Sequence, residues 1–553
     1  MNSSAPADLV LTGARIHTVD PALPEAEALA VRDGRIIWLG AAADAADWTG
    51  PGTRSIDAGG RLVLPGFIDA HNHVRLGSDD DCVQLAGARS LEAVHERIGA
   101  WRAAHPDAEW IEAEAFDYSA IPGGRMPTAA DLDPVTGDTP ALVLSYDVHT
   151  AWLNTAALRS LGIRKGRTSL PFGEAATDPG TGEPTGFVKD FAVKGLSRDG
   201  HRALRELGVP WAAPDRQYGR LVKSLDDAIG YGITTVVEPQ NSLDDLALFE
   251  RARAEGRLRS RIVAALFHPR GTTDTDLDEF AAAADTYADD RLRVGPLKLY
   301  IDDVVEPRTA ALLEPYTGCG HHRGDTFYPP EEFAELLARL DARGFQCFVH
   351  ATGDRGIRTV LDAVAHARTV NGPRDARHQV VHVECLDPAD TPRFAELGVV
   401  ACMQPRHAAP DIAGPGQDWA ENIGPDRWHK AWPLRSLHAA GAVLALSSDW
   451  NVAEMDPMVG IYTAVTRRPL RGGGEPWTPE ETIDVATAVE GYTMGSAYAN
   501  FLEDERGSLS VGKLADFVVL SRDILRIDPE DIPGTVAETV VVGGEVVRTR
   551  ADG

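Results

Sequence analysis

Short apolar runs alternate with helical stretches through the middle of the chain, and this alternation restricts the fold more than any other feature. LDDLALFERARAEG is followed by RSRIVAALF, and PEEFAELLARLDARG by FQCFVHA. The first member of each pair is rich in Ala, Leu, Arg and Glu; the second is an apolar run of strand length. This order predicts βα units and a parallel sheet, either open or closed into a barrel. The barrel is favoured when polar residues stand at the ends of several different strands, because functional groups of that fold gather at one rim.

The two ends of the chain follow a different pattern. Leu9 to Ile16 (LVLTGARI) and Ala28 to Leu39 (ALAVRDGRIIWL) are β-rich, with a turn at Asp33-Gly34, and Ala515 to Ser521 and Glu538 to Thr549 repeat this around Gly543-Gly544. Residues 1–60 and 500–553 are therefore candidates for one composite β domain, and 61–499 for the barrel. A stretch at about 92–197 breaks the βα rhythm and reads as an insertion over one end of the barrel. A loose linker is the alternative, weakened by Phe116, Tyr118, Tyr146 and Trp152.

Charge and motif content remove several function classes. With Asp plus Glu at 83 against Lys plus Arg at 54, the net charge is −29, which opposes binding to nucleic acid or an anionic membrane. The opening MNSSAPADLV has no basic stretch leading into an apolar one, and no run of eighteen apolar residues follows, so the expected location is cytoplasmic. Cys82, Cys319, Cys347, Cys385 and Cys402 form no CxxC pair and are expected to be reduced. GDRGIR is not a GxGxxG loop, so no dinucleotide-binding fingerprint is present. The expected partner is a small-molecule substrate, and a homodimer is expected on frequency alone.

The residues suited to chemistry sit where apolar runs end. VLPGFIDAHNHV closes on His71 and His73, two apart, so that both imidazoles of an extended segment can reach one cation. Two solvent-facing histidines are the plainer alternative. LKLYI carries Lys298, FQCFVHA carries His350, HQVVHVE carries His382, and AVLALSSD ends on Asp449, a carboxylate able to bind metal or accept a proton from water. Each has a structural alternative, but their recurrence at successive strand ends meets the condition for a barrel.

In order along nearly the whole chain, PGFIDAHNH (Pro65 to His73), SYDVHTAWLNTAAL (Ser145 to Leu158), GITTVVEP (Gly232 to Pro239), LKLYIDD, RTAALLEPY, VHATGD, VVHVE, SSD and GSLSVGKLADFVVL (Gly507 to Leu520) resemble the metal-dependent amidohydrolase superfamily. Within it, the resemblance is to the group containing N-substituted formamide deformylases. It implies an α/β fold, a distorted (β/α)8 TIM barrel with a small β-sandwich domain built from both termini. It also implies metal ligands at His71, His73, Lys298, His350, His382 and Asp449, with Lys298 carboxylated so that it bridges two ions. Zinc is the expected metal, two ions are favoured over one, and iron, manganese or cobalt suit the same ligands.

The activity implied is hydrolysis of a carbon–nitrogen bond, in a non-peptide amide or N-substituted formamide, by metal-activated water. Asp449 takes the proton of the water and passes it to the leaving nitrogen; His382, where free of ligand duty, stabilises the developing oxyanion. Asp147, His149, Asp302, Arg308 and Trp152 are candidate substrate contacts. This chain has Asp302-Asp303 where the pattern often has a glycine after the acid, and Val381 before His382 where a Glu is common. Carbamate, lactone or deamination chemistry uses the same water, and a noncatalytic metal-binding scaffold is the alternative from another class.

Overall fold

The computed structural model describes residues 6–77, 82–470 and 473–550, so the extreme ends of the expected composite domain lie outside the described residues. Eight parallel strands form its central sheet: β1 (Phe67–Asp69), β2 (Ile233–Asn241), β3 (Arg261–Phe267), β4 (Leu292–Tyr300), β5 (Cys347–Ala351), β6 (Gln379–His382), β7 (Val400–Met403) and β8 (Leu444–Leu446). Sequential neighbours pair throughout. The sheet curls until the residue after β1 meets β8, where Ala70 N donates to the Leu446 carbonyl at 3.3 Å. The barrel is nearly closed, and it is distorted by register shifts between β1 and β2, β2 and β3, and β3 and β4.

Burial explains why these strands read as continuous apolar runs. All nine residues of β2 and all seven of β3 are buried, because one face meets the barrel interior and the other the surrounding helices. The helices Pro330–Ala342 and Asp354–Asn371 lay Phe333, Leu337, Ile357, Val360 and Leu361 against that outer face. Inside, Ile68, Val237, Val263, Phe348, Val381, Val400 and Ala445 fill the barrel with Ala497, Ala499 and Leu502. Gln346 and Gln379, at the starts of β5 and β6, both donate to the Ala499 carbonyl, at 2.7 and 2.9 Å. One end of the barrel is thus packed solid, which leaves chemistry to the other.

The termini do meet. One sheet is Arg35–Gly40, Ala28–Arg32, Leu9–Thr12 and Arg54–Asp57; the second joins Glu545–Thr549, Ala537–Val542 and Phe517–Leu520 to Leu62–Pro65, Arg15–His17 and Glu25–Ala26. Leu9, Leu11, Leu29 and Val31 from the first sheet share a core with Ile16, Val63, Phe517, Val519 and Val541 from the second. The β-rich run LVLTGARI divides at Gly13 (φ +59°) and serves both sheets. Asp33-Gly34 and Gly543-Gly544 all have positive φ, the conformation of the tight hairpin turn that their sequences signal. A buried pair docks this domain on the barrel: Asp516 accepts from Arg261 Nε at 2.7 Å and Nη2 at 2.9 Å.

Between β1 and β2 the chain builds a fourth sheet of seven short strands, in the order Ser169–Leu170, Gly173–Thr177, Pro184–Lys189, Ala151–Leu153, Ala141–Ser145, Ile111–Phe116 and Val83–Gln84. Its edge strand Val83–Gln84 lies ahead of the expected start at 92; two residues are too few to leave a periodic signal. Phe116, Leu132, Val143, Trp152 and Phe187 give the inserted sheet a core of its own. Among the described residues, no helix is long and apolar enough to cross a membrane.

Candidate active site and metal centre

At the open rim of the barrel, buried ligand atoms from several strands converge on Asp449. Its Oδ1 lies 3.5 Å from His71 Nε2 and 3.3 Å from His73 Nε2; its Oδ2 lies 3.7 Å from His382 Nδ1 and 3.9 Å from His407 Nε2. His71, His73 and Asp449 thus form one group of mutually close donors, and His382, His407 and Asp449 a second. Lys298 and His350 stand outside both tight groups. They line the same small cavity of about 30 Å³ as His73, His382 and Asp449.

Local hydrogen bonds explain how these side chains are aimed. Asp69, at the end of β1, accepts from Ser448 N (3.0 Å), Ser448 Oγ (2.5 Å) and Asn72 Nδ2 (2.9 Å), which ties the segment after β1 to the segment after β8. Asp449 N donates to the His71 carbonyl at 2.9 Å across the same seam. Ser447 Oγ donates to the Met403 carbonyl and accepts from Gln404 Nε2 at 2.9 Å, so Gln404 turns Oε1 toward His382 Nδ1, also at 2.9 Å. His382 therefore carries its proton on Nδ1 and keeps the Nε2 lone pair. His350 Nε2 similarly faces the Asp303 carbonyl at 3.1 Å, which leaves Nδ1 as its lone-pair atom. The backbone is held in the left-handed region at His382 (φ +82°) and Asp449 (φ +57°), strain of the kind that gathers at functional sites.

The electrostatics suit a cation. Burial pushes His71, His350 and His382 well below the ordinary histidine value, with Lys298 reinforcing the effect on each, so these imidazoles are neutral. Burial also lowers the Lys298 ammonium to about 8. Among the described residues, both ring nitrogens of His71, His73 Nδ1, His407 Nε2 and Asp449 Oδ1 are buried without hydrogen-bond partners. Polar atoms left in this way carry a desolvation cost unless something else satisfies them, and a divalent ion bound by imidazoles and a carboxylate would do so. The donor set fits a divalent metal.

The rim opens into a cleft of about 480 Å³, lined by residues of the barrel loops and of the inserted sheet. Asp147 and His149 line it. Asp147 accepts from Tyr118 Oη and His149 N within the insertion, and His149 forms an ion pair with Asp303 of the barrel. Burial alone would lower His149; the charge and hydrogen bond of Asp303 outweigh it and raise the imidazole to about 9. Three expected substrate contacts do not line the cleft. Trp152 is sealed in the core of the insertion against Phe116, its Nε1 donating to the Thr128 carbonyl at 2.8 Å. Asp302 is fully buried and accepts from the backbone N–H groups of Ala311, Thr352 and Gly353, an anchor for two rim loops. Arg308 is exposed and donates to Asn422 Oδ1 at 2.7 Å.

Sequence reading passed over several residues of the site. His407 sits in a short turn after β7, Gln404 begins that turn, and Glu238 is buried inside β2, its Oε1 3.9 Å from His73 Nδ1. Glu306 and Glu384 line the cleft. Only Glu238 had a usable signal, a lone carboxylate within the apolar run GITTVVEP.

Comparison with known proteins agrees with this geometry. The chain is similar to the protein LONG AFTER FAR-RED 3 of Arabidopsis thaliana, at 30% identity over 98% of this chain and 91% of that protein. It is also similar to the N-substituted formamide deformylase of Arthrobacter pascens, at 28% identity over 93% of this chain and 94% of the other. An uncharacterized metal-dependent hydrolase from Pyrococcus horikoshii OT3 shares the fold, with a TM-score of 0.72 at 22% identity over 94% of this chain and 99% of that one. Residues 54–548 match the family described as the amidohydrolase family, and the chain belongs to it.

Proposed function

We propose that the protein hydrolyses the carbon–nitrogen bond of a non-peptide amide or an N-substituted formamide. The observation that supports this reading is the pair of ligand groups sharing Asp449 at the open rim, facing a cleft large enough for a small organic molecule. The formamide end of the range is favoured by likeness to the Arthrobacter pascens enzyme along most of both chains. His71, His73, Lys298, His350, His382 and Asp449 hold two zinc ions in this reading, His407 adds a ligand, and carboxylation reverses the charge of Lys298 and extends its reach. The domain division is 1–60 with 500–553, extended by the strand Leu62–Pro65, and the rest of 61–499, with an insertion at about 92–197 preceded by the edge strand Val83–Gln84. The enzyme is cytoplasmic and acts on a small molecule.

A divalent ion in this position supplies a Lewis acid that activates water and polarises a carbonyl. The Asp449 carboxylate accepts a proton from the attacking water. The water oxygen bonds to the carbonyl carbon, the carbon–nitrogen bond breaks, and Asp449 returns the proton to the departing nitrogen. Gln404 holds the proton of His382 on Nδ1 and so keeps Nε2 available. Asp147 and His149 position the substrate from the insertion side, and the inserted sheet screens the rim from bulk water.

The test is elemental metal content per chain in protein purified without chelator, beside Lys298→Ala, followed by a screen over amides, formamides, carbamates and lactones. About two equivalents falling to one or fewer supports a bridging Lys298, whereas about one in both proteins makes the site mononuclear. Turnover that survives complete removal of metal refutes the reading.

A further inference from the structure

The cleft above the metal centre includes carboxyl groups that no Lys or Arg pairs with among the described residues. Glu306, Glu384 and Asp418 line it together with His382, His407 and Asp449. Glu384 is 6% exposed; its Oε2 accepts from Trp419 Nε1 at 3.0 Å, and its Oε1 has no donor among the described residues. No Lys or Arg forms an ion pair with any of these three carboxylates among the described residues. The arginines of the cleft are engaged elsewhere. Arg406 is held by both oxygens of Asp411 at 2.9 Å and by Glu454 at 2.8 Å, and exposed Arg89 reaches Gln417 at 3.3 Å. Arg308, whose charge reaches Asp418, is turned toward Asn422.

The same wall has an aromatic component. Trp432 is 1% exposed, lines the cleft, and packs on Trp419 at 4.9 Å between ring centroids; its Nε1 is buried without a partner. Its backbone N–H donates to the Glu384 carbonyl at 2.8 Å, and its indole packs on Trp419, the donor to the Glu384 carboxylate. Tyr146 also lines the cleft. Buried Glu384 and half-buried Glu306, without basic partners and beside indole and phenol rings, make a poor site for an anion and an indifferent one for a neutral chain. They suit an ammonium group, which pairs with the carboxylates and meets the ring faces.

We propose that this wall of Glu306, Glu384 and Trp432 binds a protonated amine of the substrate, so that the compounds hydrolysed are N-formyl or N-acyl amines bearing a second, cationic nitrogen. The proposal rests on the hydrolase reading above and narrows it. Water adds its oxygen to the acyl carbon, the carbon–nitrogen bond breaks with a proton passing to that nitrogen, and the products are a carboxylate and a diamine.

The test compares N-formyl-1,6-diaminohexane with N-formylheptylamine, which differ in a terminal ammonium against a methyl, and the corresponding acetyl pair. A charge-assisted hydrogen bond corresponds to a preference of roughly 10- to 100-fold in kcat/KM for the cationic member. That ratio should fall toward one in Glu384→Gln and in Glu306→Gln, with the change carried by KM, and should shrink with added salt. A wild-type ratio near one with both compounds turned over overturns the proposal and leaves the hydrolase reading in place. If metal-loaded protein turns over neither pair, the formamide and acetamide reading fails, and calorimetric titration with 1,6-diaminohexane decides the cation site. Saturable binding weakened by Glu384→Gln supports it, and no binding by the wild-type protein overturns it.

Discussion

Asp449→Asn is expected to strip the protein of both metal equivalents, whereas His407→Ala is expected to remove one. The reasoning is geometric: one carboxylate places Oδ1 3.3–3.5 Å from His73 and His71, and Oδ2 3.9 Å from His407, in the group that His382 completes. Loss of its charge takes a ligand from both groups, while loss of His407 takes one from the second alone. A four-ligand structural zinc site is worth roughly 10–16 kcal/mol, or about 2.5–4 kcal/mol per ligand, so one lost ligand weakens binding on the order of 10²- to 10³-fold. Asparagine is the better replacement because residue 449 sits at φ +57°, which Asn tolerates and most side chains do not. The assay is elemental analysis per chain after desalting into metal-free buffer, with a thermal melt confirming that each variant is folded. Folded Asp449→Asn protein that retains one full equivalent would refute the shared-ligand reasoning.

Two further outcomes follow from other contacts. Gln404→Leu deprives His382 Nδ1 of its acceptor; metal affinity should fall roughly 10- to 100-fold in a competition titration against a chelator, with the fold intact. Asp516→Asn breaks the buried pair with Arg261 and should cost about 3–5 kcal/mol of the stability with which the terminal domain docks, read as a lowered melting temperature. Although burial opposes it, the Arg261 guanidinium holds Asp516 below the ordinary carboxylate range. Its stabilisation is therefore complete above the unfolded value near 3.8 and is lost as pH falls through the lower folded value; the melting temperature of the variant should change less over that acid range.

The parts of this molecule that were legible in the sequence are those written in local, repeated signals. β3 and β5 were apparent as apolar runs after helices, and the Asp33-Gly34 and Gly543-Gly544 turns as hairpin signatures. His71 and His73 stood out by their spacing, and Lys298, His350, His382 and Asp449 by their place in or beside apolar runs. What was hidden depended on tertiary placement. His407 lies in QPRHAAP, where no period or spacing marks it, and joins the site only because β7 carries its turn to the rim. Trp152 looked like a substrate contact because an aromatic residue in an irregular segment has no visible partner until Phe116 is folded against it. The inserted sheet was obscure because several of its strands have only two or three residues, too few to leave a periodic signal.

The strand Leu62–Pro65 hydrogen-bonds to Phe517–Leu520, and this join has a consequence for how the molecule is made. The two strands are separated by roughly 450 residues, which a ribosome adding about 5–20 residues per second takes on the order of half a minute or more to supply. During that interval Leu62–Pro65 waits with one edge unsatisfied. The seam between Asp69 and Ser448 spans 379 residues, so the rim also closes late, yet before the terminal domain, whose strands follow it in the chain.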